Sequence, residues 1–416
     1  MAAITPTVYL VLPQQTAGLD TAALEIGDAT TGKVGTGKVA IGGSVQVDIS
    51  ADVQSIQIRR GRSSTLDRPE AGTCTLTLRN DRANAGDYDP LNAAGAYYPW
   101  LQSGWIQVAD PGDSLTFFTG PITDLTLSEE PPTLSVGTIS AIDPLSYFAE
   151  TSITLTGGEV FASGITLGTL QLVSNTVLNQ LLMTVSTNYG SSWLAGTQWG
   201  GGLPDPAEFN ALDLISRIEQ TELGMFYCDP LGGLQFLKRA SIVALSSSFT
   251  ASDAAADSIR YSHIERGSVS DRVVNIVTTH SDTYAADADD IDSVRINDAS
   301  IAKYGPKPKT FNVHLCTTKD NATNTGYVAD GLLADWGSPK TSIRSITIPV
   351  ARYSGATQAA ILTPDIGSVI SVKRTAPGAS VQTTAMLIVG IEHQMHPRFH
   401  EVTFRLVPQP TTNPLV

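Results

Sequence analysis

The chain has 416 residues, a length that favours roughly two or three domains with separate cores. Its 42% hydrophobic and 16% charged residues are typical of a folded globular protein and exclude an intrinsically disordered one. The net charge of −14, from 40 acidic and 26 basic residues, argues against a protein that reads nucleic-acid sequence, because affinity for phosphates comes largely from Lys and Arg.

The cysteines and the N-terminus predict folding in a cytoplasm. Cys74, Cys228 and Cys316 are odd in number and widely spaced, so neither a disulfide framework nor a zinc spacing is present. The apolar run 8–12 is too short for the core of a signal peptide. No stretch approaches the ~18–20 apolar residues of a membrane span, and we expect none.

The first third of the chain has the pattern of β-strands. Residues 1–50, rich in Gly, Thr and Val, predict a β-rich N-terminal extension. Residues 51–149 predict a first β domain, because apolar residues alternate with polar ones within 55–59 and 73–78, which places Cys74 on the buried face. The alternation slips after Ile122, which predicts a bulge near residues 123–124.

Residues 150–262 change character and predict a smaller α+β middle domain. Apolar spacing within 170–187 indicates one helix. Asp205 is the expected cap of a second helix, with Pro206 at its first position, a stripe at Phe209, Leu212, Ile215 and Ile218, and Gly224 at its end. Residues 225–237 then predict a hairpin with a glycine-containing turn.

Residues 263–408 return to β and predict a second β domain, followed by a tail at 409–416. We expect a strand from Arg272, an acidic loop at 282–292, a helix at 325–336 capped by Asn324, and a strand around 402–406. The predicted fold class is mainly β, with two tube-type β-barrel or sandwich domains flanking the middle domain.

The two predicted β domains have a similar order of strand signals. In the first, Trp105-Ile-Gln-Val is followed by Gly120-Pro-Ile and then by Leu134-Ser-Val. In the second, Val369-Ile-Ser-Val is followed by Gly390-Ile-Glu and then by Val402-Thr-Phe. This parallel predicts that the domains share their strand order, although any antiparallel meander shows alternating runs split by turns.

Three motifs resemble ligand sites, and we assign none of them a ligand. The stretch from Gly32 to Lys38 has the spacing of a phosphate-binding loop, but Val39 stands where magnesium needs Ser or Thr. Pro397 and Arg398 interrupt the histidines at 393, 396 and 400, which favours a hairpin turn. The aspartates at 287, 289, 290 and 292 lack the glycine and the glutamate of a calcium loop. We expect no cofactor and no catalytic site.

A cluster of arginines provides the candidate contact residues. Arg59, Arg60, Arg62 and Arg68 form a basic group in an acidic chain. Either they lie in a solvated loop, or they form salt bridges with an acidic neighbouring subunit, since Arg is enriched at interfaces.

Several stretches resemble the minor tail proteins, or baseplate hub proteins, of long-tailed bacteriophages. The resemblance spans roughly residues 50–408, in the order expected for that family. It rests on these segments: 66–73, 88–92, 118–122, 211–215, 224–236, 271–275, 292–294, 304–305 and 389–393.

The resemblance implies a trimeric hub ring in the virion, assembled in the host cytoplasm. The ring joins the six-fold tail tube to a three-fold tip and contacts the distal tail protein, the tape measure protein and other tail-tip proteins. DNA passes through it without sequence-specific binding. One alternative is the hexameric distal tail protein. Another is a carbohydrate-binding tail-tip adhesin, for which the tryptophans at 100, 193 and 199 would stack on sugars.

Overall fold

The structure is a computed structural model of the chain. It describes residues 6–12, 45–62, 68–80, 87–89, 91–92, 95, 97, 101, 104–110, 115–130, 134–150, 152–155, 207–210, 212, 216, 219, 223–237, 239–254, 257–267, 273–281, 291–312, 325–337, 342–375 and 380–411. Most of the secondary structure in these residues is β, which confirms the predicted mainly β fold class.

The strands are numbered along the chain as β1 Thr7–Leu12, β2 Val45–Asp48, β3 Val53–Gly61, β4 Thr73–Arg79, β5 Trp105–Asp110, β6 Leu115–Glu130, β7 Leu134–Ile142, β8 Ser152–Leu155, β9 Ala207–Asn210, β10 Met225–Cys228, β11 Leu234–Leu237, β12 Ser247–Ser252, β13 His263–Gly267, β14 Ile276–Ser281, β15 Ile291–Ile296, β16 Pro308–Asn312, β17 Ser342–Pro349, β18 Val369–Thr375, β19 Val381–His396 and β20 Phe399–Pro408. The helices are α1 Leu145–Glu150, α2 Arg239–Ala244, α3 Asp298–Tyr304, α4 Thr325–Trp336 and α5 Gly355–Leu362.

The chain divides into two compact units. The N-terminal unit comprises Thr5–Ser55 and Thr75–Ile142, and the C-terminal unit comprises Met1–Ile4, Ile56–Cys74 and Asp143–Val416. The five-part domain scheme expected from the sequence stays a prediction.

The N-terminal unit is built around the 16-residue strand β6. Its strand order is β4-β7-β6-β5-β1-β2. The buried side of this sheet carries Leu76 and Leu78, which alternation predicted, together with Ile106 and Phe118, and each contributes about 1.5–3 kcal/mol by leaving water. The predicted bulge is confirmed, because the register of β6 on β7 shifts between Ile122 and Asp124.

The C-terminal unit is built around a second 16-residue strand, β19. One edge of β19 pairs with β20. The other edge is shared, because residues 381–387 pair with β18 and residues 390–395 pair with residues 56–61 of β3. Beyond these strands, β17 and β13 extend the sheet from β20, and β12 pairs with β18. Val402, Phe404 and Leu406 are buried, which confirms their predicted phase.

The two units share a strand order over four strands. In the N-terminal unit the order is β4-β7-β6-β5, and in the C-terminal unit it is β17-β20-β19-β18. Numbered along the chain, both orders are first, fourth, third, second. The similarity ends at the next strand, because β1 is antiparallel to β5 whereas β12 is parallel to β18.

Smaller elements complete the C-terminal unit. The predicted hairpin at 225–237 is confirmed as β10 paired with β11. The predicted helix at 325–336 is confirmed as α4, and the Gly337 N–H donates to the Leu333 carbonyl at its end. The strand expected from Arg272 begins at Ile276, and the described residues before it, Val273, Val274 and Asn275, are buried without strand pairing.

The predicted helix start at Asp205 is wrong. Residues 207–210 form β9, which pairs with β8, and helical backbone is described only at Leu212, Ser216 and Glu219. Asn210 replaces Asp205 as the cap, since its Oδ1 accepts the Leu212 N–H at 3.0 Å. Leu223, rather than Gly224, adopts the left-handed conformation after this helix, with φ 49°.

Candidate functional site

Two of the four clustered arginines are buried at the end of β3. Ile56 and Ile58 face the interior, and the period of two then places Arg60 on the same face. Arg62 follows Gly61, where the strand ends with φ 78°, and is also buried. Both arginine side chains are only 3% exposed within the single chain. Burial of two cations at this level requires partners inside the protein.

The partners are backbone carbonyls of strand β10 and the carboxylates of Glu219 and Asp365. Arg60 donates to the Cys228 carbonyl at 2.7 Å, and Arg62 donates to the Phe226 carbonyl at 3.4 Å. The Glu219 carboxylate pairs with Arg62 and also accepts the Phe226 N–H at 2.7 Å. Charged side chains therefore occupy the edge of β10 that does not pair with β11, where another strand would otherwise bind.

Arg60 is also paired with the carboxylate of Asp365, in the loop before β18. Its two terminal nitrogens donate to the two oxygens of Asp365 at 2.9 and 3.2 Å. This parallel, charge-assisted pairing is the strongest geometry available to an arginine. Through Arg60, strand β3 is joined both to the β10–β11 hairpin and to the loop before β18.

A second carboxylate near Arg60 belongs to Asp143, at the end of β7. Its Oδ2 accepts the Gly72 N–H at 2.6 Å, and its Oδ1 accepts the Leu145 N–H at 3.0 Å at the start of α1. Burial raises the pKa of Asp143 to about 7, although the two N–H groups and Arg60 act in the opposite direction.

A histidine pair lies on the β19–β20 hairpin. His393 Nδ1 and His400 Nε2 are 3.2 Å apart, and both rings are buried. Burial lowers the pKa of His393 well below its ordinary value, with further contributions from His400 and Arg60, and burial lowers the pKa of His400 to about 4. The pair is therefore neutral at pH 7. The predicted hairpin turn is confirmed, since His396 pairs with Phe399 across Pro397 and Arg398.

The other two arginines of the cluster are exposed. Arg59 lies 3.5 Å from Glu70 and 3.7 Å from Glu392, and Glu392 is also paired with Arg405 across the sheet. Arg68 is exposed on the segment that leads to β4. Arg60 and Arg62 have partners in their own chain and do not lie in a solvated loop, and an inter-subunit contact through the cluster stays a prediction.

Glu219 and Asp365 were not anticipated from the sequence. Glu219 is 157 residues from Arg62, and Asp365 is 305 residues from Arg60, so no local pattern connects them. The alternation Ile56, Ile58, Arg60 was the available signal that an arginine faces inward. Each carboxylate of this buried cluster is engaged by donors of the same chain, so the cluster serves to hold segments together.

The remaining candidate sites fall mainly outside the described residues. These include the glycine-rich stretch 32–39, Asp287, Asp289, Asp290, Asn324 and the tryptophans at 100, 193 and 199. Within the described ranges, no three His, Cys, Asp or Glu side chains are grouped as a metal site would require. The helices of the described part of the chain are too short or too polar to cross a bilayer.

Comparison with solved structures identifies the fold. The chain is similar to the 43 kDa tail protein of prophage MuSo2 from Shewanella oneidensis, with a TM-score of 0.56 and 13% identity over 98% of this chain and 100% of that one. It is also similar to a tail protein from Neisseria meningitidis MC58, with a TM-score of 0.54 and 13% identity over 88% and 96% of the two chains. Comparisons with protein-family models and with curated proteins gave no match. At this identity the likeness is one of fold.

Proposed function

We propose that the protein is a structural component of a bacteriophage tail. The observation that carries this proposal is the match in fold to a prophage tail protein over 98% of this chain and the whole of the other. A match over a full chain is more informative than one over a single domain, because it includes both β units and the segments that connect them. The buried arginine cluster fits this role, since it fastens segments to one another.

We further propose that the protein forms a trimeric hub at the tail tip. Two β units per chain with the same order of four strands would give six similar units in a ring of three copies. Such a ring would match a six-fold tail tube on one side and a three-fold tip on the other. The distal tail protein, the tape measure protein and other tail-tip proteins are its proposed neighbours in the virion.

The acidity of the chain is consistent with a channel for DNA. Three copies at −14 each carry a net charge of −42. Duplex DNA carries one negative charge per ~1.7 Å, so it binds weakly to a surface with few free cations. We expect Asp and Glu to outnumber Lys and Arg on the surface that faces the ring axis, and a lumen lined with arginines would contradict this.

The tail assignment is tested with tails purified from the phage that encodes the chain. The proposal predicts that the chain is present in these tails, and that deletion of its gene abolishes complete tails while leaving DNA-filled heads. A chain that is absent from purified tails, or dispensable for tail assembly, would contradict it. Six copies per tail would favour the distal tail protein, and binding of purified chain to cell-wall glycans would favour the adhesin.

A further inference from the structure

Strand β13 is the last strand of the C-terminal sheet, and one of its edges is open. Among the described residues it pairs with β17 alone. The Ser252 N–H, at the end of β12, donates to the Ile259 carbonyl, and the Tyr261 N–H donates to the Ser252 carbonyl, so the contact with β12 stops before β13 begins. Three of the five residues of β13 are exposed and the other two are half-buried. An uncovered strand edge presents N–H and C=O groups that can pair with another strand.

Strand β2 is the last strand of the N-terminal sheet, and within the described part of the chain it pairs with β1 alone. Gln46 and Asp48 are exposed, and Val47 is half-buried. Because β13 has five residues and β2 has four, the two strands match in length. Each unit therefore ends in a short strand with one open edge.

The open edge of β13 carries positive charge. Arg266 lies on the strand and Arg260 shortly before it, and both side chains are exposed. Neither arginine forms an ion pair with another described residue. The carboxylate of β13, on Glu265, is 3.7 Å from the Arg344 guanidinium, so its charge is already offset. Two exposed cations beside an open strand edge favour an acidic partner.

The N-terminal unit carries the opposite charge. Its described residues include a single basic side chain, Arg79, and eight acidic ones, at positions 48, 52, 87, 89, 110, 124, 129 and 130. Asp48 lies on β2 itself, where its carboxylate accepts the Ser50 N–H at 2.9 Å. Asp52 follows in the short turn between β2 and β3. The open edge of β2 is therefore acidic where the open edge of β13 is basic.

We propose that the open edge of β13 pairs with the open edge of β2 in a second copy of this chain. Main-chain hydrogen bonds join the two edges, and Arg260 and Arg266 of one copy neutralise Asp48 and its acidic surroundings in the next. Pairing of β13 with β13, or of β2 with β2, brings like charges together, so charge selects the unlike edges. A contact between unlike surfaces is head to tail, the kind that closes into a ring. This inference rests on the proposed tail function, for which it specifies the contact between copies.

Cysteine pairs in assembled tails test this contact. One cysteine is introduced as His263→Cys, Glu265→Cys or Arg266→Cys, and the other as Gln46→Cys or Asp48→Cys, which gives six double variants. Residues opposite each other on neighbouring strands have Cα atoms about 4.5–5.5 Å apart, within the range of a disulfide. We expect at least one double variant to form disulfide-linked species of two and three copies, seen on a denaturing gel of oxidised tails without reductant.

A charge reversal tests the same contact without a covalent link. Arg260→Glu with Arg266→Glu should lower incorporation of the chain into tails about tenfold or more, because like charges then face each other across the contact. The matched control is Lys303→Glu with Arg398→Glu, which makes the same change in net charge at exposed positions on other elements of the C-terminal unit. We expect the control to be incorporated normally.

The outcomes separate this inference from the proposed function. If no folded double variant links, in tails that contain the wild-type chain, the edge contact is wrong and the tail function stands. Equal linkage of Thr123→Cys with Ser248→Cys, at exposed positions on β6 and β12, would also overturn the contact. Absence of the wild-type chain from tails would overturn the proposed function itself. Circular dichroism identifies any cysteine variant that fails to fold, and the charge reversal then carries the test.

Discussion

Arg62, directly after β3, and Glu219, in the helical segment before β10, form a buried ion pair. The Glu219 carboxylate accepts from Arg62 and from the Phe226 N–H, and both charged side chains are at most 6% exposed. One carboxylate thus neutralises a buried cation and completes the hydrogen bonding of a strand edge. Removal of either partner leaves a charge with no compensation in the interior.

We expect Arg62→Ala to lower the free energy of unfolding by about 3–5 kcal/mol, because Glu219 remains buried without its cation. The matched control is Arg59→Ala on β3, where the side chain is 48% exposed and the expected loss is below about 1 kcal/mol. Equilibrium urea unfolding of the full chain measures both. Equal losses in the two variants would show that the buried pair contributes nothing specific.

The paired replacement Arg62→Met with Glu219→Leu tests the ion pair by removing both of its charges. Because both charges are removed together, we expect the free energy of unfolding of this variant to lie within about 2 kcal/mol of the wild-type value. Its stability should exceed that of Arg62→Ala in the same urea titration. A double variant less stable than the single one would contradict this account of the pair.

Two glycines in the N-terminal unit differ in what an added methyl group would meet. A Cβ at Gly120 would lie 2.1 Å from the Ile142 carbonyl oxygen, a backbone atom that cannot rotate away. A Cβ at Gly137 would meet Leu127 at 3.4 Å, which is ordinary contact. We expect Gly120→Ala to lower the thermal midpoint by several degrees and Gly137→Ala to leave it unchanged or slightly raised, since Gly weakens a strand. Similar midpoints for the two variants, measured by calorimetry, would refute the close approach of β6 and β7.

The Asp143 carboxyl should make the protein more stable in acid than in base. Its pKa is about 7 in the folded chain and near 3.8 when unfolded, so its contribution is complete below pH 3.8 and is lost as the pH rises through 7. The size of this effect is on the order of 4 kcal/mol. We expect Asp143→Asn to lose stability relative to the wild type as the pH falls from 7 to 4. Urea midpoints across that range measure the slope, and parallel curves would contradict the prediction.

The His393–His400 pair should lower the stability of the protein in acid, the opposite of the effect of Asp143. The pKa of His400 falls from 6.5 to about 4 on folding, so its contribution is complete above pH 6.5 and is lost as the pH falls through 4. This amounts to roughly 3 kcal/mol. We expect His400→Gln, whose amide can still bond to His393, to gain stability relative to the wild type over pH 6.5 to 4. Urea midpoints over the same pH range measure this difference. A variant whose stability falls relative to the wild type in acid would contradict a neutral buried pair.

Local patterns in the sequence predicted the elements whose cause is local. Alternation located β20, and the cap signal at Asn324 with Gly337 after the last turn located α4 at 325–336. Asp205-Pro206 carries a strong helix-start signal, yet residues 207–210 pair with β8 more than 50 residues earlier, so tertiary pairing overrides the local preference. The buried roles of Arg60 and Arg62 depend on Asp365 and Glu219, whose proximity only the fold creates.

The most direct test of the central claim is a cryo-electron microscopy reconstruction of the tail tip from the phage that encodes this chain. It should show three copies in one ring, with the N-terminal and C-terminal units at alternating positions around the axis and the β4–β7 and β17–β20 meanders superposing. A ring of six copies, a chain located away from the tail axis, or units that do not alternate would contradict the proposed hub.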